Sequence, residues 1–268
     1  MKFKVGFIGC GNMGGALLGA IQNKIGANNC AVSEACPEKA EKFVNMGVTF
    51  LNIEDLAKTC EYIFLAVKPQ VMESVIKSIS SFIKENANVK LVTMAAGLEI
   101  KTIESYLGFN CPIIRIMPNI PCSVGRGVLV YCYNNLVDKT SVTEFTSIIS
   151  EVGLVDEISE DKIDITTIIS GSGPAFMYTF IDAFSKSAEK FGLPRDKAIL
   201  YTLKTMEGAS KIVETSSTPI ETLIKNVCSP KGTTIEGVNC LNENDIYSII
   251  DKTVSVSYKR ALELKENK

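Results

Sequence analysis

The chain has 268 residues, 46% hydrophobic and 22% charged, with a formal net charge of −2. Its acidic and basic residues are interspersed, which excludes a disordered tail, a fibre and a basic arm for nucleic acid. Histidine is absent, and with it go imidazole acid–base chemistry, the Ser-His and Cys-His nucleophilic pairs and the commonest metal ligand.

The opening residues, MKFKVGFIGCGNMGGALLGAI, begin as a secretory signal does, but glycines and Asn12 interrupt the run that a signal core keeps helical. No other segment reaches about 18 uncharged apolar residues, so no membrane span is expected. The nine cysteines are odd in number and never spaced C-x-x-C. That pattern disfavours a disulfide framework and a zinc site, so no metal is expected, and free thiols suit a reducing cytoplasm.

From residue 3 to about 158, β-branched runs alternate with helix-period segments. Strands are expected at Phe3–Ile8, Cys30–Ser33, Tyr62–Val67, Lys90–Met94, Pro112–Met117 and Gly127–Tyr133. Between them Val71, Val75, Ile76, Ile79, Phe82 and Ile83, then Leu98, Ile100, Ile103 and Leu107, recur at helical spacing. The alternation predicts an α/β fold, a doubly wound and mainly parallel sheet. From residue 159 onward Ile165–Phe191, Arg195–Val213, Pro219–Asn226 and Asn244–Lys265 read as helices. The expected division is therefore a dinucleotide-binding domain at 1–158 and a helical domain at 159–268. MYTFIDAF and SIIDKTVSVSY are apolar on more than one face, which predicts burial against another subunit.

Gly9-Cys10-Gly11-Asn12-Met13-Gly14 follows the first strand and opens the first helix, the setting in which G-x-G-x-x-G predicts a dinucleotide site. The first glycine permits the turn, the second admits a pyrophosphate, and the third lets helix pack on strand. Ser33 ends the second strand, and Glu34, about 20 residues past Gly14, either accepts hydrogen bonds from a ribose hydroxyl pair, which taken alone favours NAD(H), or is a solvated loop glutamate, so the preference between NADH and NADPH stays open. Ala66-Val67-Lys68-Pro69 and Met94-Ala95-Ala96 end later strands. Lys68 either faces the cofactor or is an exposed loop lysine, and the small residues at 94–96 either admit a nicotinamide ring or serve close packing.

Taken in order, FIGCGNMG, LAVKPQ, MAAG, RIMPNIP, SGSGPAF and SPKGTTIEG make the sequence resemble pyrroline-5-carboxylate reductases over residues 3 to about 265. The resemblance implies an N-terminal Rossmann domain, an all-α C-terminal dimerisation domain, a homodimer or higher homo-oligomer, and reduction of a cyclic imine by NADPH or NADH. Position by position, it implies that Ile8 to Met13, Asn52, Ala66 to Pro69, Met94 to Ala96 and Asn226 touch the cofactor. By the same carry-over, Ser229, Gly232, Thr233 and Thr234 hold the substrate, with Thr234 bonded to the ring nitrogen. A β-hydroxyacid dehydrogenase is disfavoured, since neither Lys186 nor Lys190 is followed four residues later by Asn.

Three local stretches carry expectations of their own. Thr233-Thr234-Ile235-Glu236 fits a capping box, with Thr233 as the expected N-cap. Lys231 stands where the family usually has glycine, and a positive φ there would cost on the order of a kcal/mol. Gly171-Ser172-Gly173-Pro174 reads as a kink or break in a long helix.

Overall fold

A computed structural model describes residues 2–266. β1 (Phe3–Ile8) leads into α1 (Asn12–Ile25), followed by β2 (Cys30–Ser33), α2 (Glu41–Asn45), β3 (Thr49–Phe50) and α3 (Ile53–Thr59). Then come β4 (Cys60–Leu65), α4 (Pro69–Glu85), β5 (Lys90–Thr93), α5 (Ile100–Leu107), β6 (Ile113–Met117), β7 (Gly127–Tyr133), α6 (Lys139–Ile148) and β8 (Gly153–Glu157). The eight strands form one sheet in the order β3-β2-β1-β4-β5-β6-β7-β8. Every neighbouring pair is parallel except β6 with β7. β3 and β8 lie outside the expected strands. β3 has only two residues, and β8 is largely exposed, so neither leaves an apolar alternation to read.

The central strands are apolar on both faces because both faces are covered by helices. Val5, Phe7, Tyr62, Phe64, Val92, Ile114 and Ile116 join the cluster containing Leu17, Leu18 and Ile21 of α1 and Phe145 of α6. Phe3, Ile63, Leu65, Leu91 and Ile113 join the opposite cluster with Met72, Ile76, Ile79 and Ile83 of α4. Adjacent strands interlock by ring stacking: Phe7 and Phe64 are paired in register, with centroids 4.5 Å apart.

The chain divides into two compact units, Met1–Pro174 with Tyr258–Lys268, and Ala175–Ser257. The first holds the whole sheet, together with α7 (Ile163–Thr166) and a π-helical turn at Thr167–Ser172. Ser170, Gly171 and Ser172 of the SGSGPA peptide lie in that turn, which takes the place of a simple helix break. It is pinned by buried Asn119, whose Nδ2 donates to the Ser170 carbonyl at 3.0 Å while its Oδ1 accepts from Val128 N–H at 2.9 Å. α8 (Gly173–Lys190), α9 (Arg195–Thr215), α10 (Ile220–Val227), α11 (Thr233–Glu243) and α12 (Ile246–Glu266) follow, with no strand among the described residues after β8.

Within the first unit one charge is fully buried. Arg115 of β6, 1% exposed, reaches Glu160 at 2.9 Å and Asp164 at 3.4 Å. Glu160 also accepts the Ile100 N–H at 2.8 Å, so it caps α5 from a distant loop. Lys265, near the end of α12, bonds Asp164 and Glu99 and extends the network. Lys265 and Lys101 hold the Glu99 carboxyl down at about 2. Its stabilising effect is therefore present above its ordinary value of 4.5 and fades as pH falls toward 2.

Removing Arg115 strands two carboxylates in a place built for a cation. Arg115→Ala is expected to lower unfolding free energy by about 3–5 kcal/mol, read as a drop in the denaturant midpoint. A loss under about 1 kcal/mol would mean that the network contributes little.

Candidate active site

The strand register assembles the first half of the site. Ile8 pairs with Ser33 on one side and Leu65 on the other, and Leu65 pairs with Thr93. The residues just beyond, Gly9 to Gly14, Glu34, Ala66 to Pro69 and Met94 to Ala96, therefore emerge side by side at the carboxyl edge, where β1 is flanked by both β2 and β4. Open α/β sheets bind ligands at such a point.

Each glycine of the turn has a separate steric reason. Gly9 has φ +93°, and a Cβ there would lie 2.8 Å from the Ala66 carbonyl oxygen. A Cβ on Gly14 would lie 2.7 Å from the Gly9 carbonyl oxygen and 2.8 Å from the Ala66 Cβ. Gly11 is the opposite case: nothing lies within 4 Å of its absent Cβ, so the space in front of it is open. Gly11 is also the N-cap of α1, no side chain caps that helix, and its first turn carries no acidic residue. Its leading N–H groups are left to an external anion. A groove of about 800 Å³ runs past Gly11, Asn12 and Gly15 and is edged by Lys39, Lys42 and Ser123. Open space, unserved amides and positive charge fit the pyrophosphate of a dinucleotide.

Glu34 is anchored. Its Oε2 accepts the Cys10 N–H at 2.7 Å and its Oε1 accepts the Cys36 N–H at 3.1 Å. Burial alone would raise the Glu34 carboxyl, but the two N–H donors and nearby Lys39 bring it below its usual range. The same contact, added to burial, pushes the Cys10 thiol up to about 11, so this cysteine stays protonated and inert beside the turn. Burial pushes Cys30, Cys60, Cys111 and Cys132 up to about 12, and all nine cysteines are free.

Lys68 is exposed and forms the N-cap of α4, with Pro69 as the first helical residue. Asn52 does local work: it caps α3 by accepting the Asp55 N–H at 2.8 Å, and its amide donates to the Asp55 carboxylate. The role of Asn119 in the RIMPNIP peptide is not legible from sequence, because Val128 and Ser170, which its side chain ties together, lie 9 and 51 residues away.

The remaining expected residues lie in the second unit. Asn226 occupies the last turn of α10 and is exposed. Ser229 to Gly232 form a turn closed by the Gly232 N–H donating to the Ser229 carbonyl at 3.0 Å. Gly232 packs closely on that turn: a Cβ there would lie 2.3 Å from the Ser229 Oγ, which can rotate away, and 3.1 Å from the Ser229 carbonyl oxygen. The capping box is not formed. α11 begins one residue earlier than it requires: Thr233 is already helical, the N-cap is Gly232, and no side chain caps the helix. The hydroxyls of Thr233 and Thr234 are thereby released, and the first amides of α11 stand open as those of α1 do.

Residues 160–264 match the family model for pyrroline-5-carboxylate reductase dimerisation, and residues 4–97 match one for NADP oxidoreductase, coenzyme F420-dependent. Pyrroline-5-carboxylate reductase 3 of Xenopus laevis is 32% identical, covering 98% of this chain and 97% of its own length. This chain belongs to the pyrroline-5-carboxylate reductase family. The Staphylococcus epidermidis member is 33% identical, with 97% of each chain covered. The crystal structure of the Plasmodium falciparum member with NADP bound aligns with a TM-score of 0.89 at 31% identity, over 98% of each chain.

Lys231 has φ +60°, in the left-handed region where a side chain is strained. It follows Pro230 as the third residue of the turn, the position that takes glycine when φ must be positive. Lys231→Gly is expected to raise stability by about 0.5–1 kcal/mol, the relieved strain exceeding the added chain entropy. A melting temperature that rises by about 2 °C would bear this out, and a fall would mean that the lysine makes a compensating contact.

Proposed function

We propose that the chain is an NAD(P)H-dependent oxidoreductase that reduces the C=N bond of 1-pyrroline-5-carboxylate to L-proline, the last step of proline biosynthesis. One observation carries the reading: in a chain similar to these reductases over nearly its whole length, two glycine-capped helices, α1 and α11, keep their leading amides free of side-chain caps. One would receive the cofactor pyrophosphate and the other the substrate carboxylate. The reading divides the chain at 158/159 into dinucleotide-binding and helical substrate-binding domains, which the family match beginning at residue 160 supports.

Reduced nicotinamide, when bound, supplies the hydride. Ile8 to Gly14 hold the phosphates, with Ser33 and Glu34 at the adenosine ribose. Asn52, Ala66 to Pro69, Met94 to Ala96 and Asn226 contact the rest of the cofactor. Among these, Met94 is half-buried and Ala96 exposed, so the edge of β5 is low enough to admit a ring. Ser229, Gly232 and Thr233 grip the substrate carboxylate through backbone N–H groups and hydroxyls.

Thr234 holds the ring nitrogen by hydrogen bonding and so fixes which face of the imine is presented. Its hydroxyl is half-buried and not used as a helix cap, as this role requires. No side chain needs to relay a proton at neutral pH, because an imine nitrogen takes its proton from water; a protein without histidine suffices.

The exposed apolar side chains of the second unit, Met177, Tyr178, Phe184 and Phe191 among them, support a homodimer or higher homo-oligomer. None of the described helices is long and apolar enough to cross a membrane. Nine free cysteines support a reducing, cytoplasmic setting.

The decisive assay is loss of reduced-nicotinamide absorbance when 1-pyrroline-5-carboxylate is added, with L-proline identified as product. Thr234→Ala is expected to cut turnover about 10- to 100-fold while the cofactor dissociation constant stays put. Unchanged turnover would remove Thr234 from the site, and no absorbance loss from the wild type would sink the activity itself.

A further inference from the structure

We propose that Glu34 makes this protein select NADH over NADPH. The inference rests on the reading of Gly9 to Gly14 as the cofactor turn. It goes beyond that reading, which leaves the two cofactors equivalent.

Glu34 comes directly after β2 and is bonded to both sides of the corner. One oxygen takes the N–H of Cys10 in the glycine turn, and the other takes the N–H of Cys36 in its own loop. A carboxylate on an unattached loop can swing aside for a second anion. This one cannot move without leaving two backbone N–H groups unpaired, one of them on the buried Cys10. With the Cys10 thiol as a third donor, the carboxylate still keeps a lone pair for an incoming hydroxyl, so a ribose 2′-hydroxyl can be accepted where the carboxylate already stands. A 2′-phosphate would place close to two further negative charges against an anion fixed in position.

The next residue, Ala35, offers no compensating cation. Positive charge comes from Lys39, at the end of the short turn that begins at Pro37, and Lys42 edges the same groove past Gly11. Lys39 is exposed, and its field already acts on Glu34. A phosphate would therefore have to compete for a charge that is shared and solvent-screened.

The test is equilibrium binding of NADH and of NADPH to the purified full chain, followed by nicotinamide fluorescence with no imine present. The wild type is expected to bind NADH at least about ten-fold more tightly. Glu34→Gln, which keeps the side-chain length and removes the charge, should narrow the ratio to within about three-fold, chiefly by tightening NADPH. Ala35→Arg leaves both amide bonds in place and should strengthen NADPH binding on its own, so the idea remains testable if Glu34→Gln disturbs the turn. Lys39→Ala should leave the order of preference intact.

Equal or tighter NADPH binding by the wild type would overturn the inference. An unmoved ratio in both Glu34→Gln and Ala35→Arg would do the same. NADH preference without imine reduction would fault the proposed activity and leave this inference standing, whereas imine reduction with equal binding of both cofactors would do the reverse.

Discussion

The close approach of α1 to the end of β4 governs the first half of the site. With the would-be Cβ of Gly14 less than 3 Å from both Gly9 and Ala66, helix and strand meet at a separation that no larger residue allows. That contact fixes where the N-terminus of α1 points and therefore where a pyrophosphate can sit. The flanking strands are in register with β1, so everything set by this contact is shared by Glu34, Ala66 and the residues after Thr93. The ring stack of Phe7 on Phe64 holds the same two strands together from one face of the sheet.

The helices of this chain begin in different ways. α3 begins with Asn52 accepting the Asp55 N–H, and α6 begins with Asp138 accepting the Ser141 N–H at 2.7 Å. α5 borrows Glu160 from far along the chain. These helices have their first amides satisfied by the protein itself. α2, α4, α9 and α10 have no capping side chain, and neither do α1 and α11, which start from glycine. A glycine N-cap forgoes only roughly a few tenths of a kcal/mol against a capping side chain, so leaving the amides uncapped at both proposed anion sites costs little stability. The strained Lys231 beside the second of them is another local departure from what stability alone would favour.

What could be read from residues alone followed from period and position. Strands with apolar residues on both faces and long amphipathic helices leave a local signal, so the sheet, α4, α5 and the helical second half were legible within a few residues. Two-residue β3 and exposed β8 leave none. The capping box at Thr233 is a motif of residue types and does not say which residue starts the helix: Gly232 takes the N-cap and Thr233 is already helical. The Arg115 network was invisible for a different reason. Its carboxylates come from 45 and 49 residues away, and no local pattern encodes such pairing. The anchoring of Glu34 falls between the two cases: its spacing from Gly14 marked the residue, but only coordinates reveal the second tie to Cys36.

The second unit poses a physical problem that a single chain does not solve. Phe191 is 90% exposed, and Tyr247, Val227 and Tyr178 are 70%, 67% and 59% exposed. Isolated apolar residues on a surface need no explanation, but so many large ones on α8, α9, α10 and α12 would be an aggregation hazard if left in water. Ala198 and Ser185 are nearly or fully buried while most neighbours on the same helices are not, so the unit's own interior is thin. A second copy offering the same apolar faces covers them by symmetry, without requiring a new complementary surface to evolve. The MYTFIDAF and SIIDKTVSVSY peptides, apolar around more of the helix than one core can use, are then a sequence-level trace of assembly, and the stability of the helical half becomes inseparable from protein concentration.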